Sequence, residues 1–176
     1  MKYIFDFDDT LFITDNLREQ MFSVLEKKGI SREATKEYYE KERLSNFSLK
    51  KLLKDFSLDQ NLYEEIMNRS ADFMNTELIE VVKKAGKKNC YIVTCGDKEF
   101  QKDKIERSGV APLFSEIIIV PGTKKEAVEN LCARHKDETI IFIDDKLQYF
   151  EDLDLKKYPN LKTVLYAGQD LHNLVA

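Results

Sequence analysis

The most constraining feature of this sequence is a series of short apolar runs, each followed directly by acidic or turn-forming residues. Those in the second half of the chain are rich in isoleucine and valine. Continuous apolar runs of this kind are typical of strands that are buried on both faces, as in a parallel sheet. The predicted strands are residues 3–5, 90–93, 117–120, 140–143 and 163–166.

Helical patterns fill the gaps between the later runs. The predicted helices span residues 77–87, 98–108, 123–134 and about 147–156. Asp97 is the expected N-cap of the second helix, and Thr123 and Glu126 have capping-box spacing at the start of the third. The basic residues within 102–107 are interpreted as a solvated helix face. Strand and helix alternate, which predicts an α/β fold with a Rossmann-like three-layer α/β/α core around a central parallel sheet.

The stretch between the first two runs breaks this alternation because it contains no strand pattern. Its apolar residues fall at helical spacing in four short groups, with Thr14 as a candidate N-cap for the first and Ser31 for the second. We predict a small all-α insertion, residues 13–76, within a core domain formed by residues 1–12 and 77–176. Two short hinges are expected where the insertion joins the core.

Length and charge narrow the possible functions. The chain of 176 residues suits one domain with a modest insertion, and its net charge of -4 gives no electrostatic reason to bind nucleic acid or an anionic membrane. The three cysteines match no zinc-site spacing and are expected to be reduced thiols. We therefore expect a cytoplasmic protein with no nucleic-acid, membrane or obligate protein partner.

Three carboxylates follow the first apolar run, within the segment Asp6–Thr10, DFDDT. Carboxylates this close repel one another, so such a cluster usually needs a cation or shared protons. Asp6 and Asp8 are two residues apart and share one side of the chain while the strand geometry continues. Mg²⁺ prefers oxygen ligands and often binds through one or two carboxylates together with phosphate and water. The alternative is a solvated acidic turn.

Three further segments lie where predicted strands end. Thr94–Asp97, TCGD, offers a hydroxyl and backbone N–H groups to an anion. Lys124 stands at a helix start, where a nearby phosphate would explain a cation, and the adjacent Lys125 is interpreted as solvated. Asp144 and Asp145 follow a buried run. Each segment alone could be an ordinary turn, but the carboxyl ends of parallel strands meet at one sheet edge, where together they would supply a nucleophile, an acid/base, a metal site and a phosphate clamp.

The order and placement of these segments resemble the four motifs of the haloacid dehalogenase superfamily of phosphatases. The segment Asp6–Leu11, DFDDTL, is similar to the highly specific first motif, and Thr94 resembles the second. Lys124 resembles the third motif, and Asp144 with Asp145 resembles the fourth. The helical insertion is similar to the helical cap of the superfamily, although it is short.

The resemblance implies a role for each catalytic residue. Asp6 would attack phosphorus and form an aspartyl-phosphate. Asp8 would protonate the leaving oxygen and later deprotonate the attacking water. Thr94 and Lys124 would hold the phosphoryl oxygens and stabilise charge during transfer.

The resemblance also implies a phosphate site and a metal site. The implied phosphate-binding residues are Asp9, Thr94, Cys95, Gly96 and Lys124. Mg²⁺ would be held by the side chains of Asp6 and Asp144 and by the backbone carbonyl of Asp8, and Asp145 would be a ligand either directly or through water.

The function implied is that of a Mg²⁺-dependent phosphomonoesterase for a small phosphorylated metabolite, such as a sugar phosphate or a nucleotide. Asp8 narrows the class, because the dehalogenases of the superfamily lack an acid there and halide needs no proton on leaving. A phosphotransferase or mutase would use the same residues, whereas an inert phospho-ligand-binding protein should have lost one of them. A response-regulator receiver domain is disfavoured because its acidic pair lies on the first strand.

Overall fold

The five predicted strands form one parallel sheet in a computed structural model that describes residues 1–42 and 46–174. The strands are β1 (Lys2–Phe5), β2 (Cys90–Cys95), β3 (Glu116–Val120), β4 (Ile140–Asp144) and β5 (Leu161–Leu165). Their order is β3-β2-β1-β4-β5, so β1 lies at the centre of the sheet. Strands β1, β2 and β4 are largely buried as predicted, whereas the edge strands β3 and β5 are partly exposed.

Helices cover both faces of the sheet, which confirms the predicted three-layer α/β/α core. Within the described residues, the α-helices are α1 (Thr14–Glu26), α2 (Arg32–Glu42), α3 (Leu49–Asp55), α4 (Leu62–Met67), α5 (Thr76–Ala85), α6 (Lys98–Arg107), α7 (Lys125–Arg134) and α8 (Gln148–Glu151). Short 3₁₀ turns occupy Ser70–Phe73, Lys87–Asn89, Ala111–Leu113 and His172–Leu174. Val82 and Ile105 pack α5 and α6 against one sheet face, and Val128 and Leu131 pack α7 against the other.

The helix boundaries agree with the predictions for α5, α6 and α7 and differ for α8. The Asp97 side chain caps α6 by accepting a hydrogen bond from the backbone N–H of Phe100 at 2.8 Å. Helix α8 ends at Glu151, five residues earlier than expected, and a turn follows in which Asp154 accepts the backbone N–H of Lys157. Leu153 is thereby buried beneath the sheet.

Two of the expected helix caps are wrong. Helix α7 begins at Lys125 without a side-chain cap, and the Thr123 hydroxyl only accepts the backbone N–H of Lys125. Helix α1 includes Thr14 itself, whose hydroxyl donates to Oδ1 of Asp8 at 3.2 Å. The Thr14 hydroxyl is thus used by the loop after β1, whereas the Thr123 hydroxyl bonds to the first residue of α7 without forming the predicted capping box. Ser31, by contrast, accepts the backbone N–H of Ala34 at the start of α2, as predicted.

Four inserted helices, α1 to α4, lie between β1 and α5 and share their apolar core with one face of the sheet. Leu25 and Leu52 of the insertion belong to the same buried cluster as Phe5 of β1. The chain enters and leaves the insertion side by side, since Phe12 and Met74 form an antiparallel bridge. In the described residues, no helix is both long enough and apolar enough to cross a membrane.

Candidate active site

The carboxyl ends of three neighbouring strands bring the predicted residues together. Thr94 is the penultimate residue of β2, Asp6 follows β1 directly, and Asp144 ends β4. Because β1 lies between β2 and β4, these three residues occupy adjacent positions on one edge of the sheet. The backbone N–H of Asp6 donates to the carbonyl of Ile143 at 2.9 Å, which extends the pairing of β1 with β4 to the site itself.

Lys124 reaches into this edge from the turn before α7. Its Nζ lies 2.6 Å from Oδ1 of Asp6 and 2.7 Å from Oδ2 of Asp144, and its side chain is only 1% exposed. Burial alone would lower the pKa of this ammonium, but the charges of Asp6 and Asp144 outweigh burial and raise its pKa above the ordinary value. Lys125 instead pairs with Glu129 near the surface, so the structure assigns the site lysine to Lys124.

An acidic cluster surrounds Lys124. One carboxylate oxygen each from Asp6, Asp144 and Asp145 lie within 4.8 Å of one another. Burial raises the pKa of Asp144 to about 6, and the negative charge of Asp6 adds to this. Burial likewise raises the pKa of Asp145 to about 7, although the Lys146 ammonium opposes the shift.

The residues of this acidic cluster fit a hard divalent cation. The Oδ1 atom of Asp145 is buried and has no hydrogen-bond partner within the described residues. Among residues 1–42 and 46–174, the cations paired with these three carboxylates are Lys124 and the more distant Lys146, whose Nζ is 3.7 Å from Oδ2 of Asp145. An all-oxygen donor set with an unpaired buried oxygen and an excess of negative charge is what Mg²⁺ prefers.

Short hydrogen bonds orient the two central carboxylates. The backbone N–H of Phe7 donates to Oδ1 of Asp6 at 2.7 Å, and the backbone N–H of Lys146 donates to Oδ1 of Asp144 at 2.9 Å. Thr94 is buried, and its hydroxyl oxygen lies 3.2 Å from Nε2 of Gln101, the amide that donates to it. Backbone groups beside the strand ends therefore orient Asp6 and Asp144, and a side chain of α6 orients the Thr94 hydroxyl.

The other predicted phosphate-binding residues differ in what they can offer. The backbone N–H of Gly96 donates to the carbonyl of Val120 at 3.0 Å, so this group is already used within the sheet edge. Gly96 has a φ of +147°, and a Cβ there would lie 2.9 Å from Nε2 of Gln101. It therefore contributes space for a neighbouring side chain. Asp9 is exposed with a φ of +58°, and the Cys95 thiol donates to the carbonyl of Gly122 at 2.7 Å.

Three hydrogen-bond donors hold the Asp8 side chain, two from α6 and one from α1. Nζ of Lys104 lies 2.5 Å from Oδ1, Nε2 of Gln101 lies 2.7 Å from Oδ2, and the Thr14 hydroxyl also donates to Oδ1. Burial alone would raise the pKa of Asp8, but the charge and hydrogen bonds of these neighbours, Lys104 above all, lower it below the ordinary value.

The sequence interpretation missed Lys104 and Gln101. The run 102–107 was expected to be a solvated face, yet the Lys104 side chain is only 4% exposed. The signal available was spacing, because Gln101, Lys104, Ile105 and Ser108 recur at helical intervals and form the buried face of α6. Because three of these four residues are polar, the pattern did not indicate that this face of the helix is buried.

A cavity of about 440 Å³ opens beside Asp8, between the inserted helices and the strand ends. Its wall from the insertion is mainly apolar and aromatic, with three polar residues: Leu17, Met21, Tyr39, Phe47, Leu49 and Ile66, together with Thr14, Arg18 and Asn46. Its opposite wall is mainly polar, with two aromatic residues: Asp8, Asp9, Cys95, Gly96, Asp97, Gln101, Lys104, Lys146 and Gln148, together with Phe100 and Tyr149. A volume of this size is typical of sites for small molecules.

The sequence of this chain matches no family model and no curated protein. Its structure is similar to a haloacid dehalogenase-like hydrolase from Burkholderia xenovorans, with a TM-score of 0.67 at 20% identity over 93% of this chain and 80% of that one. The magnesium-bound HAD-hydrolase YfnB from Bacillus subtilis gives 0.56 at 18% identity, covering 93% and 85%. L-2-haloacid dehalogenase from Xanthobacter autotrophicus gives 0.61 at 11% identity, covering 98% and 80%.

These similarities establish the fold, which is that of the haloacid dehalogenase-like hydrolases. The same fold carries both a magnesium-bound hydrolase and a dehalogenase. Fold does not determine reaction, so the activity has to be argued from the residues of the site.

Proposed function

We propose that this chain is a member of the haloacid dehalogenase superfamily that hydrolyses small phosphomonoesters with Mg²⁺ as its cofactor. The observation that carries the proposal is the buried Lys124 ammonium between the carboxylates of Asp6 and Asp144. A second acid, Asp8, lies two residues after Asp6 and lines the wall of a cavity of small-molecule size. Together these groups supply a nucleophile, an anion-binding cation and an acid/base within one sheet edge.

In the first step a carboxylate oxygen of Asp6 attacks phosphorus and the bond between phosphorus and the ester oxygen breaks. Lys104 favours the ionised form of Asp8 in the free protein, and the negative charge of the bound phosphate ester opposes this and favours the protonated form. The departing oxygen takes this proton from Asp8, which releases an alcohol and leaves an aspartyl-phosphate on Asp6. In the second step Asp8, now ionised, accepts a proton from a water molecule that attacks phosphorus. The bond between phosphorus and Asp6 breaks, and inorganic phosphate leaves.

Positive charge and hydrogen-bond donors lower the barrier to both steps. Lys124 binds the phosphoryl oxygens in addition to orienting Asp6, and the Thr94 hydroxyl donates to one of them. Mg²⁺, held by Asp6, Asp144 and Asp145 with the backbone carbonyl of Asp8, would offset the charge of the phosphate so that a carboxylate can approach it. The orphaned oxygen of Asp145 is free to bind the ion directly or to accept a hydrogen bond from a water bound to it.

Asp8 favours phosphate esters over haloacids as substrates. A halide leaves as a stable anion, whereas an alkoxide needs a proton at the moment of departure. Asp8 lines the cavity and stands two residues after the proposed nucleophile Asp6. The size of the cavity, about 440 Å³, supports a small metabolite of the sugar-phosphate or nucleotide class over a phosphoprotein.

The test is phosphate release from p-nitrophenyl phosphate and a panel of sugar phosphates and nucleoside monophosphates. The wild type is compared with Asp6→Asn, with and without Mg²⁺, and Asp72→Asn serves as a control because Asp72 is an exposed partner of Arg69. We expect turnover that requires Mg²⁺, disappears in Asp6→Asn and persists in Asp72→Asn. Turnover that survives in Asp6→Asn, or halide release from 2-haloacids without phosphate release, would overturn the proposal.

A further inference from the structure

Helix α6 carries a buried cation that the reaction steps above do not use. We propose that Lys104 and Gln101 are positioning residues. They hold the Asp8 carboxyl group where it can protonate the leaving oxygen, so that the protein can also hydrolyse phosphate esters of weakly acidic alcohols. This inference rests on the proposed phosphohydrolase function and concerns which leaving groups the site can accept.

The contacts of Asp8 fix both of its oxygens. Lys104 pairs with Oδ1 at 2.5 Å and Gln101 donates to Oδ2 at 2.7 Å. The Thr14 hydroxyl adds a donor at Oδ1, 3.2 Å away. A carboxylate with a donor on each oxygen cannot rotate freely about its side-chain bonds, so its position relative to Asp6 is set by α6.

The surroundings of Lys104 keep its ammonium in place. The aromatic rings of Phe7, Phe12 and Phe100 surround Nζ, with centroid distances of 5.7, 5.7 and 4.9 Å. Buried lysines are rare unless they are paired, and aromatic faces attract a cation without competing for its hydrogen bonds. The buried ammonium of Lys104 therefore forms its ion pair with Asp8.

Gln101 joins Asp8 to the loop that would receive the phosphate. Its two Nε2 hydrogens are shared among three acceptors: Asp8, the carbonyl oxygen of Cys95 at 2.7 Å and, more weakly, the hydroxyl of Thr94 at 3.2 Å. The missing side chain of Gly96 leaves room for this amide. One side chain thus sets the spacing between the acid and the phosphate-binding hydroxyl.

A positioning role and a merely structural role differ in their dependence on the leaving group. An alkyl alcohol is a poor leaving group and relies on a proton from Asp8, whereas p-nitrophenolate leaves without one. A displaced Asp8 should therefore slow alkyl esters far more than p-nitrophenyl phosphate. General loss of structure would slow both equally.

The experiment measures kcat/KM for n-propyl phosphate and for p-nitrophenyl phosphate in the Mg²⁺-loaded protein, because this constant reports phosphoryl transfer before hydrolysis of the intermediate. The variants are Lys104→Met, Lys104→Arg and Gln101→Leu. Lys102→Met is the matched control, since Lys102 lies on the same helix with its side chain 67% exposed.

We expect Lys104→Met and Gln101→Leu to lower kcat/KM for the alkyl ester by about tenfold or more, within the range for acid–base catalysis, and for the aryl ester by less than about threefold. Lys104→Arg should recover part of the loss, and Lys102→Met should match the wild type. The ratio of the two constants is unaffected by the fraction of folded protein, so partial unfolding of a variant does not obscure the result.

Equal losses on the two esters would overturn the inference, and so would a gain in alkyl turnover, which would make Lys104 a latch that restrains Asp8. Failure of the proposed function looks different. In that case the wild type turns over neither ester, or Asp6→Asn remains active.

Discussion

At the scale of single residues, two adjacent lysines provide a controlled test of the site. Lys124 is buried between Asp6 and Asp144, whereas the Lys125 side chain is 40% exposed and pairs with Glu129. Lys124→Met would leave two carboxylates facing each other in the protein interior. We expect phosphatase activity to be lost and stability to fall by about 3–5 kcal/mol, as for other broken buried pairs.

Lys125→Met is the control for this substitution. It should change stability by no more than about 0.5 kcal/mol, as for other surface positions, and leave turnover intact. Phosphate release and urea unfolding measure the two effects. If Lys125→Met were the more damaging change, the assignment of the site lysine would be wrong.

Gly96 is constrained both by its backbone conformation and by its contact with Gln101. Its φ of +147° suits glycine, and an added Cβ would come within 2.9 Å of the Gln101 amide. We expect Gly96→Ala to displace Gln101, to lower turnover of alkyl phosphates and to cost about 1–3 kcal/mol of stability. Gly168→Ala is the control, because Gly168 also has a positive φ but open space around it.

Kinetics on the Gly96 and Gly168 variants separate backbone strain from contact with Gln101. Strain alone would lower the stability of both proteins and leave the alkyl-to-aryl ratio of kcat/KM unchanged in both. A change of this ratio in Gly96→Ala alone is the expected result.

At the scale of elements, the inserted helices and the sheet should unfold together. Leu52 of α3 is fully buried and belongs to the same apolar cluster as the sheet residue Phe5. Leu52→Ala should cost about 2–5 kcal/mol. At about 2–4 °C per kcal/mol, the Tm of the whole chain should fall in a single transition.

Leu155→Ala is the matched control, because Leu155 is 48% exposed. It should leave the Tm nearly unchanged. Calorimetry of both variants would test the expectation directly. A separate low-temperature transition in Leu52→Ala, with the remainder of the chain unaffected, would show that the insertion folds as an independent unit.

The sequence predicted the strands well because each apolar run is bounded by residues that end a strand. It also predicted that Asp6, Thr94 and Asp144 converge, because the carboxyl ends of parallel strands meet at one edge of a sheet. The strand order, which makes the three residues neighbours, came from the structure. The helix caps were harder to predict, because a hydroxyl such as that of Thr14 can form the same hydrogen bond with a helix end or with a nearby loop. Lys104 was missed because a lysine becomes a buried residue only through a partner that lies 96 positions away.

At the scale of the whole molecule, the sheet edge concentrates negative charge that folding alone does not neutralise. The pKa of Asp144 is raised to about 6 and that of Asp145 to about 7, from an ordinary value of 3.8. Between about pH 4 and pH 7 the folded chain therefore binds more protons than the unfolded chain, and its stability decreases as pH rises through this window. The lowered pKa of Asp8 acts only at more acidic pH, where its stabilising contribution is lost.

Because stability falls as these carboxylates ionise, the effect of Mg²⁺ on the Tm should depend on pH. In EDTA, the Tm should fall by several degrees between pH 5 and pH 8, because Asp144 and Asp145 both become charged beside Asp6 and no metal ion adds to the charge of Lys124 and Lys146. Mg²⁺ competes with protons for the same oxygens, so it should raise the Tm more at pH 8 than at pH 5. Asp145→Asn should weaken both the pH dependence and the response to Mg²⁺, and Asp72→Asn should alter neither. Scanning calorimetry across this range is the measurement, and a Tm in EDTA that rises from pH 5 to pH 8 would mean that these carboxylates are ionised and balanced without a metal ion.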